Sequence, residues 1–501
     1  MAGYLPRRLP HEMGVPPEAV TGLVQAWETD GLPLHSLMLV RHGAVVAEGW
    51  WAPYRPQFTH TLNSLSKSFT STAVGFAVQE KRLTVEDRVL DFFPGKVRHP
   101  SANMRKMRVK HLLSMSTGQI PDTSDTFAFE DMAAAFLASE VRCEPGSRFA
   151  YNTGATYMLS AIVQRLTGQT VYDYLQPRLF EPLGIENIWW ERCPKGISMG
   201  GVGLNLHTED IAKFGLFLLR RGAWEGRQLL DPAWIDAATA YHIPTDTSTE
   251  SPWLDTPCEA PAAAAQVTDW TAGYGYQFWR CTPAGVYRGD GAFGQFCIVM
   301  PAQDAVLAVT AGSGELQGIL TRVWQCLLPA LAKAPLPADP AAQQRMEERL
   351  AALAIAPAGG RAPVPPAWLP EGRTYQMAHN RLGITRVRFD FNARPDADRL
   401  YVTAGGREYA FACGRGRWLD TDLDFAPEYV YPFRLMVHPN LSASSSWRAA
   451  GEYELQIVYN RTPYTHTVAV RFEEDRLTAE IRQNVGGGDE PLRLQGAALY
   501  I

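Results

Sequence analysis

Runs of apolar residues alternate with polar breaks throughout the chain, and their period changes twice. "SLMLVRHGAVVAEGWW", Ser36 to Trp51, predicts two strands joined by a turn at His42-Gly43. From Ser66 to Arg82 the apolar residues Phe69, Ala73, Phe76 and Ala77 recur at helical spacing, which predicts an amphipathic helix. Further helical patterns cover Met132 to Glu140, Ala155 to Gly168 and Thr208 to Gly222. The period then shortens again, and Gln295 to Gly312 reads as paired strands, followed by a helix-like stretch up to Lys333. Strands, many helices and strands again fit an α+β unit whose chain returns to its starting sheet, an antiparallel sheet flanked by helices.

The second change follows a Pro/Ala-rich stretch with one short charged helix in it. Residues 336–370 read as a linker. Beyond it, "TRVRFDF", "RLYVTA", "YELQIVY" and "HTVAVRFEE" alternate between turn residues, which predicts an all-β module, a meander or small barrel. The expected division is residues 1–335, linker 336–370 and β module 371–501. A length of 501 residues agrees with more than one core.

Composition narrows the class. With 46% hydrophobic residues, 20% charged and a net charge of -5, the chain is globular and carries no basic field for nucleic acid or an anionic membrane. No run approaches the ~20 apolar residues of a membrane span, and the N-terminus has no signal-like apolar run, so the expected location is cytoplasmic. Seven scattered cysteines without a C-x-x-C pair read as reduced thiols.

Two serine motifs compete for the chemistry. Gly196-Ile197-Ser198-Met199-Gly200 matches a nucleophile elbow, which needs a buried strand before it and a helix after it. Its flanks supply neither, so it reads as a Gly-rich loop. Ser64-x-x-Lys67 opens a predicted helix, where residues three apart share a face and free N–H groups favour negative charge. The plainer alternative is that Ser64 caps the helix and Lys67 is solvated. Only eight of the 47 basic residues are lysines, and Lys67 is the one with a serine three residues earlier. Tyr151, in "YNTG" before the Ala155 helix, can move a proton if a lysine supports it. Gly289, Gly291 and Gly294 precede a strongly apolar strand, where backbone N–H groups can face an oxyanion.

Taken in order, these landmarks resemble the serine hydrolases related to class C β-lactamases and penicillin-binding proteins. "RVLDFFP", "VKHLLSMSTG" and "GGVGLNLHTEDIAKFGLFLLRRG" strengthen the likeness, which spans roughly Ser36 to Leu328. The resemblance implies a β-lactamase/transpeptidase-like fold with an all-α part, the site lying between sheet and helices, and a lipocalin-like barrel as the appended β module. It implies Ser64 as nucleophile, Lys67 as its base and Tyr151 as proton relay. The oxyanion is expected to meet the N–H groups of Ser64 and of the strand start at Gly291 and Ala292. Asn152 and Thr153 are expected to contact substrate, with Thr153 standing where the family usually has asparagine. Gly289 stands where the family usually has Lys or His two residues before a glycine, with Asp290 between, which argues against efficient β-lactam hydrolysis unless Arg288 compensates. No cofactor or metal is implied. The expected partner is a small amide or ester, with neither nucleic acid nor membrane, and the family leaves room for a homo-oligomer. A sensor that acylates without turnover and a true class C-type β-lactamase are the alternatives.

Overall fold

The computed structural model describes residues 4–245, 267–359, 369, 372–394, 396–423, 440–488 and 490–499. Helix α1 (Pro17–Thr29) leads into β1 (Leu34–Arg41) and β2 (Ala44–Trp50). Their turn sits at His42 (φ 51°) and Gly43 (φ 81°), the paired left-handed geometry that keeps a tight hairpin in step with strand twist. Helices α2 (Ser66–Gln79), α3 (Thr153–Thr167) and α4 (Thr208–Leu219) follow. The chain then returns through β3 (Trp279–Arg280), β4 (Tyr287–Gly291), β5 (Gln295–Met300) and β6 (Ala305–Ala311). The sheet is antiparallel in the order β2-β1-β6-β5-β4-β3, so the last long strand pairs with the first.

Strand parity divides this sheet between two cores. Leu37, Leu39, Phe296, Ile298, Leu307 and Val309 face α1, through Val20, Leu23, Val24 and Trp27. Met38, Val40, Cys297, Val299, Val306 and Ala308 face the helical side instead. Because successive side chains point to opposite faces, a strand covered on both sides reads as an unbroken apolar run. Helix α4 lies directly on this second face: a Cβ on Gly215 would come within 2.4 Å of Val306.

Three expectations change. Helix α2 ends at Gln79 and has no solvent face, since every residue from Ser66 to Ala77 is buried. Its polar side is met by loops: Ser66 Oγ accepts from the Leu204 N–H (3.1 Å), while Ser68 and Thr70 donate to the Gln277 and Gly200 carbonyls (both 2.9 Å). The expected linker is not a free spacer, because its helix α5 (Pro340–Ala351) buries Met346 and Leu350 in the α1 core. Ile355 N–H then donates to Ala52 O at 2.8 Å. Among the described residues Cys143 is disulfide-bonded, whereas Cys193, Cys281, Cys297, Cys326 and Cys413 are free, so the reduced-thiol expectation fails at Cys143. Among the described residues no helix is long and apolar enough to cross a membrane.

The second unit is a closed barrel of nine strands, β7 (Thr374–Met377), β8 (Ile384–Arg394), β9 (Ala397–Ala404), β10 (Arg407–Arg415), β11 (Leu441–Ala449), β12 (Glu452–Tyr459), β13 (Thr465–Phe472), β14 (Arg476–Gln483) and β15 (Leu492–Ala498). Neighbours are antiparallel except where β10 and β11 close the ring in parallel, at Gly414–Ser444 and Arg415–Ser445. An odd number of alternating strands cannot close with every pair antiparallel, so one parallel seam is required. Of the aromatic run Trp418 to Leu435, Trp418 donates to the Ile355 carbonyl at 2.8 Å, and residues 424–435 lie outside the described residues.

Candidate active site

Residues 63–65 form a short 3₁₀ turn that runs straight into α2, and Ser64 sits half-buried at its centre. Asn63 enters it with φ 48°, which lets the chain turn sharply after the edge strand His60–Thr61. One helical turn on, Lys67 is almost completely buried, and its Nζ lies 2.9 Å from Ser64 Oγ. The same ammonium reaches Gly201 O at 2.8 Å and Thr153 Oγ1 at 3.4 Å. Burial pulls the Lys67 pKa down to about 7, although the Asp122 and Asp290 carboxylates oppose the shift.

Tyr151 comes from the loop ahead of α3, and its hydroxyl meets Ser64. The phenol is buried, with its ring stacked on Trp279 (centroids 5.8 Å apart, 18°) and its centroid 5.0 Å from Lys67 Nζ. Burial raises its pKa and the Ser64 contact only partly offsets this, so Tyr151 is a neutral phenol in this setting. Ser64, Lys67 and Tyr151 therefore converge as the order of motifs suggested.

Thr153 also joins the group, but through its hydroxyl to Lys67 and to Asp122 Oδ2 (3.1 Å). Asn152 does not. Its Oδ1 caps α3 through the Ala155 N–H (3.1 Å) and accepts from Thr123 (2.8 Å), so the side chain is fully buried behind the site. A helix cap needs the side chain turned back over its own backbone, which excludes reaching forward to substrate.

On β4, residues two apart share a face. Gly289 and Gly291 face α2, and this approach is so close that a Cβ on Gly291 would fall 2.1 Å from Leu62 O and 3.1 Å from Leu65 N. The turn after β4 is tied to the serine segment by Asn63 Nδ2, which donates to Ala292 O at 2.9 Å. Gly291→Ala is accordingly expected to cost at least about a hundredfold in turnover, because the turn must move away from Ser64 to relieve a backbone clash; steady-state kinetics on folded variant checks this.

Arg288 and Asp290 share the other face as an ion pair (Nε to Oδ2, 2.8 Å). Arg288 is fully buried, donates to the Asp269 and Arg280 carbonyls (3.1 and 2.9 Å) and lies over the Trp270 ring (4.5 Å). It cannot take over the role of a cation facing a ligand. Burial raises the Asp290 pKa to about 6, against the pull of Arg288, and its charge acts on both Lys67 and Tyr151.

Sequence reasoning missed two partners. Asp122 accepts from the Thr153 N–H (3.0 Å) and the Ser124 N–H (2.9 Å), and its charge holds part of the Lys67 proton affinity. "DTSD" has the look of a capping sequence, which is the one signal that marks it. The other is the Gly201 carbonyl, which comes from the Gly-rich loop around Ser198. There Ser198 is buried with no strand-to-helix elbow, and a Cβ on Gly201 would lie 2.8 Å from Thr153 Cγ2, so the loop approaches Lys67 only because position 201 is bare.

A half-buried serine paired with a buried lysine, between an antiparallel sheet and a helical part, is the arrangement of the β-lactamase-fold serine hydrolases. The β-lactamase family model matches residues 23–317, and the chain belongs to that family. It is 26% identical over 296 residues to penicillin-binding protein 4 of Amycolatopsis lactamdurans, which covers 55% of this chain and 77% of that protein. To the 6-aminohexanoate-dimer hydrolase of Paenarthrobacter ureafaciens it is 23% identical over 225 residues, 41% of this chain and 57% of that one. The octameric penicillin-binding protein homologue from Pyrococcus abyssi has the same fold at a TM-score of 0.50 and 16% identity, over 95% of this chain and 99% of that chain. That likeness extends through the barrel as well as the first unit.

Proposed function

We propose that this protein cleaves a small amide or ester in two steps through an acyl-enzyme on Ser64. The observation that carries this reading is the Lys67 amine, 2.9 Å from Ser64 Oγ with its proton affinity lowered into the neutral range. An amine that is free near pH 7 can take the serine proton as Oγ attacks the carbonyl carbon. The oxyanion then meets the Ser64 and Ala292 N–H groups, whose segments are tied by the Asn63–Ala292 bond and pass close together at the bare Gly291. Tyr151 gives its proton to the leaving nitrogen or oxygen, and the phenolate left behind takes from the neighbouring Lys67 ammonium the proton that came from Ser64. Water then repeats the attack on the acyl carbon and restores Ser64. Thr153 and Asp122 hold Lys67 in place, Thr153 through the bond to Nζ and Asp122 through Thr153 and its charge.

The substrate follows from charge. With the buried Asp290 charge acting on Lys67 and Tyr151 and Arg288 committed to its own partners, a carboxylate-bearing acyl group such as a β-lactam is disfavoured, and a neutral or amine-bearing one is accepted. The likeness to a 6-aminohexanoate-dimer hydrolase supports this direction. Assays of p-nitrophenyl esters, D-amino-acid amides and a chromogenic cephalosporin are expected to give measurable short-chain esterase activity with weak β-lactam turnover. Strong cephalosporin hydrolysis would reverse the substrate assignment.

The likeness to penicillin-binding protein 4 favours a second reading, a protein that acylates and turns over slowly. Intact mass after exposure to a β-lactam separates them: a lasting adduct supports the sensor, a transient one the hydrolase. The octameric homologue with the same two-unit fold supports homo-oligomerisation as part of the proposal, which sedimentation of the full chain reads.

A further inference from the structure

We propose that the barrel is a positioning part of the active site: the turn between β12 and β13, residues 460–464, fixes the spacing of the two segments that carry the Ser64 and Ala292 N–H groups. The inference rests on the acyl-enzyme reading above and assigns the barrel a role within it.

The turn holds the serine segment first. Arg461 O accepts from the Thr61 N–H at 2.8 Å, three residues before Ser64. Thr462 O accepts from the Tyr54 hydroxyl at 2.9 Å. The Tyr54 ring stacks on His35 (3.8 Å, 15°), and His35 Nδ1 bonds His60 Nε2 at 3.0 Å, so the strand at His60–Thr61 is fastened from both sides.

The same turn holds the other segment. Phe293 follows Ala292 with φ 70°, a left-handed conformation that strains a bulky residue and persists only where its surroundings impose it. Its half-buried ring leaves the first unit and packs against the apolar core of the barrel, edge-on to Tyr464 at 5.8 Å. Gly486 leaves the room: a Cβ there would lie 3.2 Å from Phe293 Cζ. Asn484 Nδ2 bridges Pro463 O (2.8 Å) and Gly312 O (3.0 Å), and the next residue, Ser313, donates its N–H to Phe293 O at 3.1 Å.

Four residues of one turn, Arg461 to Tyr464, thus grip both halves of the oxyanion pocket. A displacement of either half by about 1 Å is enough to cost a large factor in rate without changing how substrate binds. Phe293 is the lever: its strained backbone is held by a ring that only the barrel accommodates.

The test uses full-length Tyr464→Ala, Tyr464→Phe, Asn484→Ala and Tyr54→Phe, with rate and saturation constants for labelling by a fluorophosphonate and for hydrolysis of p-nitrophenyl acetate. Tyr464→Ala is expected to lower the labelling rate constant and kcat at least about tenfold, with KM within about twofold, and Tyr464→Phe to restore most of the loss. Asn484→Ala and Tyr54→Phe are expected to lower the same constants by about threefold or more. If folded Tyr464→Ala, Asn484→Ala and Tyr54→Phe all stay within twofold of the parent, the proposal is overturned. Equal losses in KM and kcat, or no rescue by Tyr464→Phe, also overturn it. Should Tyr464→Ala not fold, the other two decide by the same criterion. A Ser64→Ala protein that still labels refutes the acyl-enzyme reading instead, so the two failures are distinguishable.

Discussion

Ser64→Ala is expected to abolish covalent labelling by a fluorophosphonate and to lower ester hydrolysis by about 10⁴-fold or more, while the protein stays folded. Activity depends on the serine oxygen as a unit with its base, and removing the nucleophile leaves only whatever the oxyanion pocket and binding contribute. Folding is expected to survive for a local reason. The hydroxyl is half-exposed, and Lys67 keeps its bonds to Gly201 O and Thr153 Oγ1 when the serine oxygen is gone. Intact-mass spectrometry after labelling decides the matter, with circular dichroism to show the fold. Labelling that persists in the variant would falsify Ser64 as the nucleophile.

The second large effect concerns Lys67→Met, for which activity and stability are expected to move in opposite directions. Loss of the base should cost about 10²–10⁴-fold in the acylation rate. Stability should rise, since the lysine is buried at a penalty. In the unfolded chain the amine titrates near 10.5 and in the folded protein at about 7. Between those values the unfolded chain holds a proton that the folded protein does not, so stability climbs with pH from about 7 to about 10.5 and the full penalty applies below 7. Methionine has no such penalty. Denaturant unfolding at pH 7 should therefore show Lys67→Met more stable by a few kcal/mol, with the gap closing as pH approaches 10.5. A variant less stable than the parent at pH 7 would mean that the ammonium's hydrogen bonds outweigh its desolvation.

The same titration governs rate. Acylation should increase about tenfold per pH unit below 7 and level off above it, because only the free amine accepts the serine proton. The Asp290 carboxylate favours the ammonium, so Asp290→Asn should move this inflection to lower pH. An inflection that does not move would place Asp290 too far from Lys67 to matter.

Much of the arrangement was legible from local pattern. Period and turn chemistry located the first hairpin, the helix after Ser64, the returning strands and the all-β second unit, since each depends on residues close together in the chain. The Ser64–Lys67 spacing belongs to the same category, because residues three apart at a helix start must share a face. Strand parity could also have foreseen that Arg288 pairs with Asp290, two residues on.

Other features were hidden because burial is not a local property. Helix α2 has an evident apolar face, yet its serines and threonines are buried too, satisfied by carbonyls at Gly200 and Gln277 more than a hundred residues away. Asn152 looked like a substrate ligand and is a helix cap, since the choice between facing forward and facing back lies in a backbone turn. The helix within the proline-rich stretch looked like a spacer, and only a neighbouring surface of α1 shows why its Met346 and Leu350 are apolar.

By itself, then, the sequence determined which residues could form an activated serine and in what order the elements bearing them occur. The tertiary structure alone decided what surrounds that serine: Asp122, the Gly201 carbonyl, the locked Arg288 and the barrel turn at residues 460–464. Chemistry of a single side chain is a matter of residue type and near neighbours. Proton affinity and oxyanion spacing depend on desolvation and on contacts between segments tens to hundreds of residues apart, and these exist only once the chain has closed on itself.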